Sequence, residues 1–203
     1  MSADIIVTAS LPDFLSGPLN RDYRCHDYVH AGDKPGLLAA EGARIRGLVQ
    51  GGGTVTPTTL LDALPKLEII SVFGVGYDGV PIDYCRGRGI KVTNTPDVLT
   101  DDVADVATAL VLMSGRGFAK ADRFVRAGQW TQRGFELTTK LAGRTAGILG
   151  LGRIGKAIAK RLEAIGMRIA YTGRAAQPGV PYRFLPDLLA LARESDFLII
   201  ACP

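Results

Sequence analysis

Residues 145–155 read TAGILGLGRIG, an apolar run that leads directly into the pattern GxGxxG. The apolar run predicts a strand over 145–149, and the stretch 154–165 predicts an amphipathic helix that ends at Gly166. A second apolar run at 168–171 predicts another strand. Together these segments indicate a strand–turn–helix–strand unit, the context in which a glycine-rich turn of this spacing is informative.

The glycines of this turn have separate mechanical tasks. Gly150 permits a tight turn, Gly152 lets the backbone approach a pyrophosphate, and Gly155 lets the helix pack close to the strand. A pyrophosphate would then meet free N–H groups at the positive end of the helix dipole. We therefore predict a dinucleotide-binding turn, and the alternative is a glycine-rich turn without a ligand. The predicted cofactor-binding residues of the turn are Gly150, Leu151, Gly152, Arg153, Ile154 and Gly155.

The end of the next strand indicates which dinucleotide would bind. It reads YTGR at 171–174 and has no carboxylate, whereas NAD-binding folds usually carry an acid there that bonds the ribose 2′-OH. Arg174 could hold a 2′-phosphate in a charge-assisted bidentate contact. We therefore predict that NADP(H) is preferred over NAD(H), with Thr172, Gly173 and Arg174 in the cofactor site. The alternative is that Arg174 is one more exposed surface cation.

Apolar runs alternate with helical stretches along the whole chain. Such alternation predicts a parallel sheet with helices on both faces. The alternation breaks at Pro96, so we predict one domain over 1–98 and a second over 99–203. Strands are predicted at 5–9, 44–49, 67–73, 90–93 and 196–202, and helices at 58–64, 81–88 and 186–193.

A long helix is predicted to open the second domain. It begins near Thr100 or Asp101, either of which could cap it, and its apolar residues recur in one stripe. A second helical stretch at 121–128 leads to Trp130 and then to a polar loop. The residues of the predicted stripe are Val103, Val106, Ala107, Leu110 and Val111.

The composition excludes several function classes. The chain has 203 residues, 47% of them apolar, and no apolar run of the roughly 18 residues that a membrane span needs. Its net charge of +4 suits anionic ligands, but the basic residues form no cluster of the kind that binds nucleic acid. The N-terminus lacks a basic segment before its apolar stretch, and the cysteines are dispersed. We therefore expect a cytoplasmic protein that contacts neither membrane nor nucleic acid.

The two histidines are the obvious candidates for a metal site. His26 and His30 have the i,i+4 spacing that could form half of such a site on a helix. No accompanying pattern of Asp, Glu or Cys supports the site. We therefore expect two solvated surface histidines and no metal.

Several stretches resemble a known family. Residues 67–78, LEIISVFGVGYD, resemble the substrate loop of the D-isomer-specific 2-hydroxyacid dehydrogenases. Residues 92–100, VTNTPDVLT, followed by VAD at 103–105, resemble the hinge and interdomain helix of that family. The turn at 150–155 and the strand end at 171–174 resemble its NADP-dependent branch, the hydroxypyruvate and glyoxylate reductases. The match covers nearly the whole chain.

The resemblance implies both a fold and an activity. The fold would be α/β, with a flavodoxin-like substrate domain followed by a Rossmann nucleotide-binding domain, and the active site would lie in the cleft between them. The activity would be the reduction of a small 2-keto acid, hydroxypyruvate or glyoxylate, to the D-2-hydroxy acid by NADPH.

The resemblance also assigns residues to the substrate and cofactor sites. Val75 and Gly76 would offer backbone N–H groups to the substrate carboxylate, although an ordinary turn is the alternative for this segment. Gly51 would line the other side of the cleft, and Thr100 would lie near the nicotinamide. These assignments come from the family match and not from the spacing of the residues.

A homodimer is a further implication of the resemblance. The stretch from about residue 100 to about residue 140 resembles the dimer-forming arm of the family. For Trp130 the alternative is an anchor within its own subunit.

The catalytic groups of the family are expected outside this chain. The family uses an Arg, a Glu and a His, all downstream of the third nucleotide-domain strand, and the sequence stops at Pro203 on that strand. We therefore assign no catalytic residue here and interpret the Rossmann domain as C-terminally incomplete. Little or no turnover is expected from this chain alone.

Three alternatives stand beside this interpretation. A phosphoglycerate or formate dehydrogenase relative is disfavoured by Thr172 and Arg174, because those relatives mostly use NAD. A nucleotide-sensing scaffold without catalysis would share the same fold. A truncated pseudoenzyme that only dimerises would form a stable dimer and ignore NADPH.

Overall fold

The computed structural model describes residues 2–202, which divide into two compact units between Val98 and Leu99. The first unit contains β1 Asp4–Val7, α1 Asp13–Asp22, β2 Arg24–Asp27, α2 Lys34–Glu41, β3 Ile45–Gly51, α3 Thr58–Asp62, β4 Ile69–Phe73, α4 Ile82–Gly87 and β5 Lys91–Thr93. The second contains α5 Thr100–Arg116, α6 Phe118–Arg126, β6 Thr145–Leu149, α7 Arg153–Ala164, β7 Arg168–Thr172, β8 Arg183–Phe184, α8 Leu188–Glu194 and β9 Phe197–Ile200. Short 3-10 turns lie at Gly42–Arg44 and Gln129–Thr131.

The first unit is built on a five-stranded parallel sheet with the order β2-β1-β3-β4-β5. This is the strand order of the flavodoxin-like doubly wound fold. The order reverses between β1 and β3, and folds of this type bind ligands in the crevice that such a reversal leaves at the carboxyl ends of the strands. Gly51 ends β3 at this edge.

The central strands of this sheet carry the core of the first unit. Ile6 on β1, Leu48 on β3 and Ile70 on β4 are each at most 1% exposed. Near-continuous burial along a strand is typical of parallel sheets that are covered on both faces. The apolar runs of these strands are therefore explained by packing.

The second unit is built on a four-stranded parallel sheet with the order β8-β7-β6-β9. These strands correspond to positions 3-2-1-4 of the Rossmann order, so a reversal lies between β6 and β9. The GxGxxG turn follows β6 and lies at this reversal. The expected α/β architecture, a flavodoxin-like sheet followed by a Rossmann sheet, is confirmed.

Several elements were not predicted from the sequence. The structure has α1, β2 and α2 between the predicted strands at 5–9 and 44–49. Helix α1 contains Gly17 and Pro18, and β2 reads RCHD, so neither shows clean apolar spacing. The two-residue strand β8 is too short to give a pattern. The strand predicted at 196–202 is therefore the fourth of its sheet, and the expectation of three strands was wrong.

The start of α5 also differs from its prediction. The N-cap is Leu99, which makes no side-chain capping hydrogen bond, and Thr100 is the first helical residue. The predicted cap at Thr100 or Asp101 was therefore wrong. Acidic side chains do occupy the first turn, where they interact favourably with the helix dipole.

The apolar residues of α5 form two stripes and not one. Ala104 and Val111 are buried in their own unit, whereas Val106 is 61% and Leu110 is 60% exposed. The two sets lie on different faces because residues three or four apart share a face of a helix. The stripe with Ala104 and Val111 packs against the rest of the second unit. The stripe with Val106 and Leu110 forms an apolar face that is exposed to solvent.

The cysteines are free thiols, and burial raises the pKa of both Cys25 and Cys85 above the ordinary value. Their thiols are therefore protonated near neutral pH, which makes them poor nucleophiles.

Residues 2–202 include no helix with the length and apolar character needed to cross a membrane.

Candidate functional site

The glycine-rich turn is joined by hydrogen bonds and close contacts to two neighbouring strands. Gly150 has a φ of +92°, and its N–H donates to the carbonyl of Thr172 on β7 at 2.9 Å. A Cβ atom at Gly150 would lie 2.9 Å from the carbonyl oxygen of Ala201, just beyond β9. Both the backbone conformation and the space therefore require glycine at the first position of the turn.

The third glycine of the turn is required by packing. A Cβ atom at Gly155 would lie 2.1 Å from the carbonyl oxygen of Gly150. Helix α7 can therefore approach the end of β6 only because Gly155 has no side chain. This close approach positions the first turn of α7 directly above the sheet reversal.

The second glycine differs from the other two. Gly152 is the N-cap of α7, makes no side-chain capping hydrogen bond, and has an ordinary φ of −78°. A Cβ atom added there would meet no heavy atom within 4 Å. The fold itself therefore does not need glycine at this position. The open space beside the first turn of α7 fits a pyrophosphate bound by backbone N–H groups.

The remaining residues of the turn have different surroundings. Leu151 is 2% exposed and Ile154 packs against the core of the second unit, so their side chains stabilise the turn. Arg153 is exposed at the start of α7. The buried side chain of Leu151 leaves only its main-chain atoms for a ligand, whereas Ile154 is partly buried.

The three predicted cofactor residues at the end of β7 differ in how far they are buried. Thr172 is 4% exposed, so its part in the site is the carbonyl that accepts from Gly150. Gly173 and Arg174 are exposed. No Asp or Glu occurs from residue 171 to residue 186, so a ligand phosphate near Arg174 would meet no carboxylate of this segment.

Thr100 lies at the start of α5, which is tied to α7 by one arginine. Arg161 on α7 donates from Nε to Asp105 Oδ1 at 2.6 Å and from Nη2 to Asp101 Oδ1 at 2.9 Å. The hydrogen bonds that Arg161 donates to the carboxylates of Asp105 and Asp101 raise its pKa. The beginning of α5 is thereby fixed against the helix that follows the glycine-rich turn.

The predicted substrate loop follows β4 in the first unit. The Gly74 carbonyl accepts from the Thr95 N–H at 2.9 Å, and the Val75 carbonyl accepts from Asn94 Nδ2 at 2.9 Å. Because the C=O and N–H of a trans peptide point in opposite directions, the N–H groups of Val75 and Gly76 point away from these partners. Neither N–H makes a hydrogen bond within residues 2–202, so both can donate to an anion.

Glycines bring the ends of β3 and β4 close together beside this loop. A Cβ atom at Gly74 would lie 2.8 Å from the Cα of Gly52, and the Gly52 N–H donates to the Phe73 carbonyl at 3.1 Å. Gly51 is paired with Phe73 in the strand register. The structure therefore brings Gly51, Val75 and Gly76 to the same edge of the sheet.

Two polar residues that support this edge were missed in the sequence. Asn94 holds the Val75 carbonyl, as described above. Gln50 is fully buried, donates from Nε2 to the Thr54 carbonyl at 3.0 Å, and accepts a hydrogen bond from the Thr56 hydroxyl. A glutamine at the end of an apolar run, directly before three glycines, was the signal in the sequence for this pair of hydrogen bonds.

The histidines are not on a helix, and the expectation for His26 was wrong. His26 lies on β2, its side chain is only 11% exposed, and its Nε2 is 2.8 Å from Asp4 Oδ1. Ligand atoms of Asp4, His26 and Glu41 all lie within 4.8 Å of one another. The Glu41 carboxylate also pairs with Arg44. His30 is exposed as expected and contacts Asp27.

Comparisons with known proteins identify a family. Residues 108–203 match the family model described as D-isomer specific 2-hydroxyacid dehydrogenase, NAD binding domain. The chain is 41% identical over 202 residues to a glyoxylate/hydroxypyruvate reductase of Arabidopsis thaliana, an alignment that covers 100% of this chain and 64% of that protein.

Solved structures give the same result. An NADPH-dependent glyoxylate/hydroxypyruvate reductase from Sinorhizobium meliloti, crystallised with NADP and malonate, has a TM-score of 0.89 and 40% identity. The match covers 100% of this chain and 63% of that chain. A dehydrogenase from Rhizobium meliloti has a TM-score of 0.78 and 38% identity, covering 97% of this chain and 69% of that one.

The two sheet orders and the glycine-rich turn at 150–155 define an α/β protein with a Rossmann-type unit. Within that class, the chain belongs to the D-isomer specific 2-hydroxyacid dehydrogenase family. It spans 64% of the length of the Arabidopsis reductase.

Proposed function

We propose that this chain provides the dinucleotide site and part of the substrate site of an NADPH-dependent reductase. The reaction is the reduction of a small 2-keto acid, glyoxylate or hydroxypyruvate, to the D-2-hydroxy acid. The observation that carries the proposal is the glycine-rich turn at 150–155, which we call the phosphate turn. In this turn Gly152 leaves open space beside the first turn of α7. The names of the Arabidopsis and Sinorhizobium relatives support the substrate class.

The residues of the second unit would hold NADP(H). The main chain of 150–155 binds the pyrophosphate, and Arg174 binds the 2′-phosphate, which meets no Asp or Glu of the segment 171–186. Thr172 and Gly173 shape this end of the site, and Thr100 lies near the nicotinamide. When bound, the reduced cofactor supplies a hydride.

The residues of the first unit would hold the keto acid. The N–H groups of Val75 and Gly76 donate to the carboxylate, and the hydrogen bonds from Asn94 and Thr95 keep the loop in that orientation. Gly51 forms the adjacent wall of the site. Oriented backbone donors of this kind bind an anion without needing a charged side chain.

The catalytic Arg, Glu and His of the family have no counterpart that we assign within this chain. We propose that residues following Pro203 supply them, in keeping with relatives of which the chain spans 64%. Residues 1–203 alone would then bind the cofactor with little or no turnover.

We also propose that the protein is a homodimer joined through 100–140. Val106, Leu110 and Trp130 are each at least 60% exposed, which is unusual for apolar side chains on one stretch of chain. A second copy of the same segment would cover them.

The full-length product of the gene that encodes this chain provides the test. NADPH oxidation should be saturable with glyoxylate and with hydroxypyruvate, and the product should be the D-2-hydroxy acid. NADH should support a lower kcat/KM. NADPH binding without any turnover would instead favour the nucleotide-sensing scaffold, and absence of binding would contradict both functions.

A further inference from the structure

A glutamine joins the segment that carries Arg174 to the phosphate turn. Gln177 Nε2 donates to the Leu151 carbonyl at 2.8 Å, and the Gln177 N–H donates to the Tyr171 hydroxyl at 2.7 Å. Both partners are buried, Leu151 at 2% and Tyr171 at 1% exposure. Gln177 therefore contacts two rigid parts of the second unit at once.

These two hydrogen bonds close a short loop. The segment 173–176 leaves β7 after Thr172, whose carbonyl is bound by Gly150, and it is held again at Gln177. The segment is exposed and has no helix or strand of its own. Its conformation therefore depends on its two ends, because an untethered loop of this kind samples many conformations.

The acceptor atoms of this arrangement are themselves well supported. The Tyr171 ring packs against Phe184 with ring centroids 5.3 Å apart, so its hydroxyl has a fixed position. Leu151 lies within the phosphate turn itself. The loop is thus attached to the phosphate turn through Leu151 and to the sheet through Tyr171.

We propose that Gln177 is a positioning residue for cofactor selection. It holds the segment 173–176 so that Arg174 is presented to the 2′-phosphate of a dinucleotide whose pyrophosphate lies on the turn 150–155. This inference rests on the proposed function of both sites. It adds that the preference for NADPH over NADH depends on a side chain that touches neither phosphate.

The expected effect follows from what Gln177 holds. Gln177→Ala removes the side-chain hydrogen bond to Leu151 and leaves only the backbone N–H bond to Tyr171. The segment 173–176 is then held less tightly, so ordering Arg174 on the 2′-phosphate costs more free energy. The dissociation constant for NADPH should rise by about threefold to tenfold, the usual worth of one such hydrogen bond. The constant for NADH should stay nearly unchanged, because NADH has no 2′-phosphate.

A double-mutant cycle tests whether Gln177 acts through Arg174. Dissociation constants for NADPH and NADH are measured by nicotinamide fluorescence for the full-length gene product and for Gln177→Ala, Arg174→Ala and the double variant. In the Arg174→Ala background, Gln177→Ala should cause no further loss of NADPH affinity. Additive losses, or equal weakening of both dinucleotides by Gln177→Ala, would overturn the proposal in favour of a general structural role.

A second variant reaches the loop from the other end. Tyr171→Phe keeps the packed ring but removes the hydroxyl that accepts from Gln177, so it should also lower the NADPH preference. Thermal unfolding of each variant shows whether the second unit is still folded. If the unaltered protein binds neither dinucleotide, the proposed function fails. If it prefers NADPH and Gln177→Ala keeps the full preference, only the role of Gln177 fails.

Discussion

Glycine serves different purposes at the three positions of the GxGxxG pattern. The fold needs Gly150 and Gly155, since added Cβ atoms there would lie 2.9 Å and 2.1 Å from backbone carbonyl oxygens. It does not need Gly152, beside which the space is open. A steric requirement for glycine at that position would therefore come from a ligand.

This difference predicts a separation of stability from binding. Gly152→Ala should lower the free energy of unfolding by less than about 1 kcal/mol, the cost of alanine in place of glycine at an N-cap. It should weaken NADPH binding by at least about tenfold, because the methyl group meets the pyrophosphate. Gly155→Ala should lower the free energy of unfolding by about 1–3 kcal/mol through overpacking. Urea unfolding and NADPH titration of both variants measure this. Normal NADPH affinity in Gly152→Ala would show that no pyrophosphate lies on the turn.

Arg174 allows a second prediction about a single side chain. Arg174→Ala should raise the dissociation constant for NADPH by about tenfold to a hundredfold, because a charge-assisted contact is lost, and should affect NADH much less. Arg193→Ala is the matched control, since it removes one exposed positive charge from the same unit. An equal effect of the two substitutions would show that Arg174 acts only through the net charge of the protein and makes no specific contact with the 2′-phosphate.

At the scale of elements, a short acidic contact joins β6 to the beginning of β9. The Asp196 carboxylate accepts from the Thr145 N–H at 2.8 Å and from Arg144 Nη1 at 2.9 Å. The Thr145 hydrogen bond is the largest cause that holds the pKa of Asp196 below its ordinary value of 3.8. The carboxylate form is therefore favoured by folding.

This contact predicts a particular dependence on pH. A carboxyl group whose pKa is lower in the folded chain stabilises the fold above its unfolded pKa, and loses that contribution as the pH falls through the folded pKa. Asp196→Asn should therefore destabilise the protein at neutral pH and show a shallower loss of stability in acid. Urea midpoints from about pH 7 to about pH 2 test this. Parallel pH profiles for the two proteins would contradict it.

The elements that were predictable from the sequence are those with a local pattern. The strand β6 is a continuous apolar run and α7 has helical spacing, so both could be located in advance. The strand β2 reads RCHD because its residues serve an edge of the sheet, and β8 has only two residues. Their existence depends on pairing with distant strands, which no local pattern reports.

The same distinction applies to the candidate site. The turn at 150–155 is contiguous, so its spacing, together with the strand before it and the helix after it, indicated a dinucleotide. Asn94 and Val75 are 19 residues apart, and Gln177 and Leu151 are 26 residues apart. Such contacts arise only when the chain folds back on itself. The supporting residues were therefore missed although the residues that they support were predicted.

At the scale of the whole molecule, the outer apolar face of α5 predicts assembly. Leu110→Glu should convert the proposed dimer to monomer, raising its dissociation constant by about a hundredfold or more, because an unpaired charge would be buried. Leu189→Glu on α8 is a matched control, since Leu189 is 62% exposed and Leu110 is 60% exposed. Sedimentation analysis distinguishes the variants. A monomeric parent protein, or dimers in both variants, would contradict the proposed interface.

The most direct measurement is the binding of NADPH and NADH to the full-length gene product, followed by nicotinamide fluorescence in a buffer free of phosphate. Saturable binding of both is expected, with NADPH bound more tightly by about tenfold or more, the minimum expected from an Arg174 contact to the 2′-phosphate. Equal affinities would contradict the assignment of NADP(H). Failure of both dinucleotides to bind would contradict the central claim that the turn at 150–155 is a dinucleotide site.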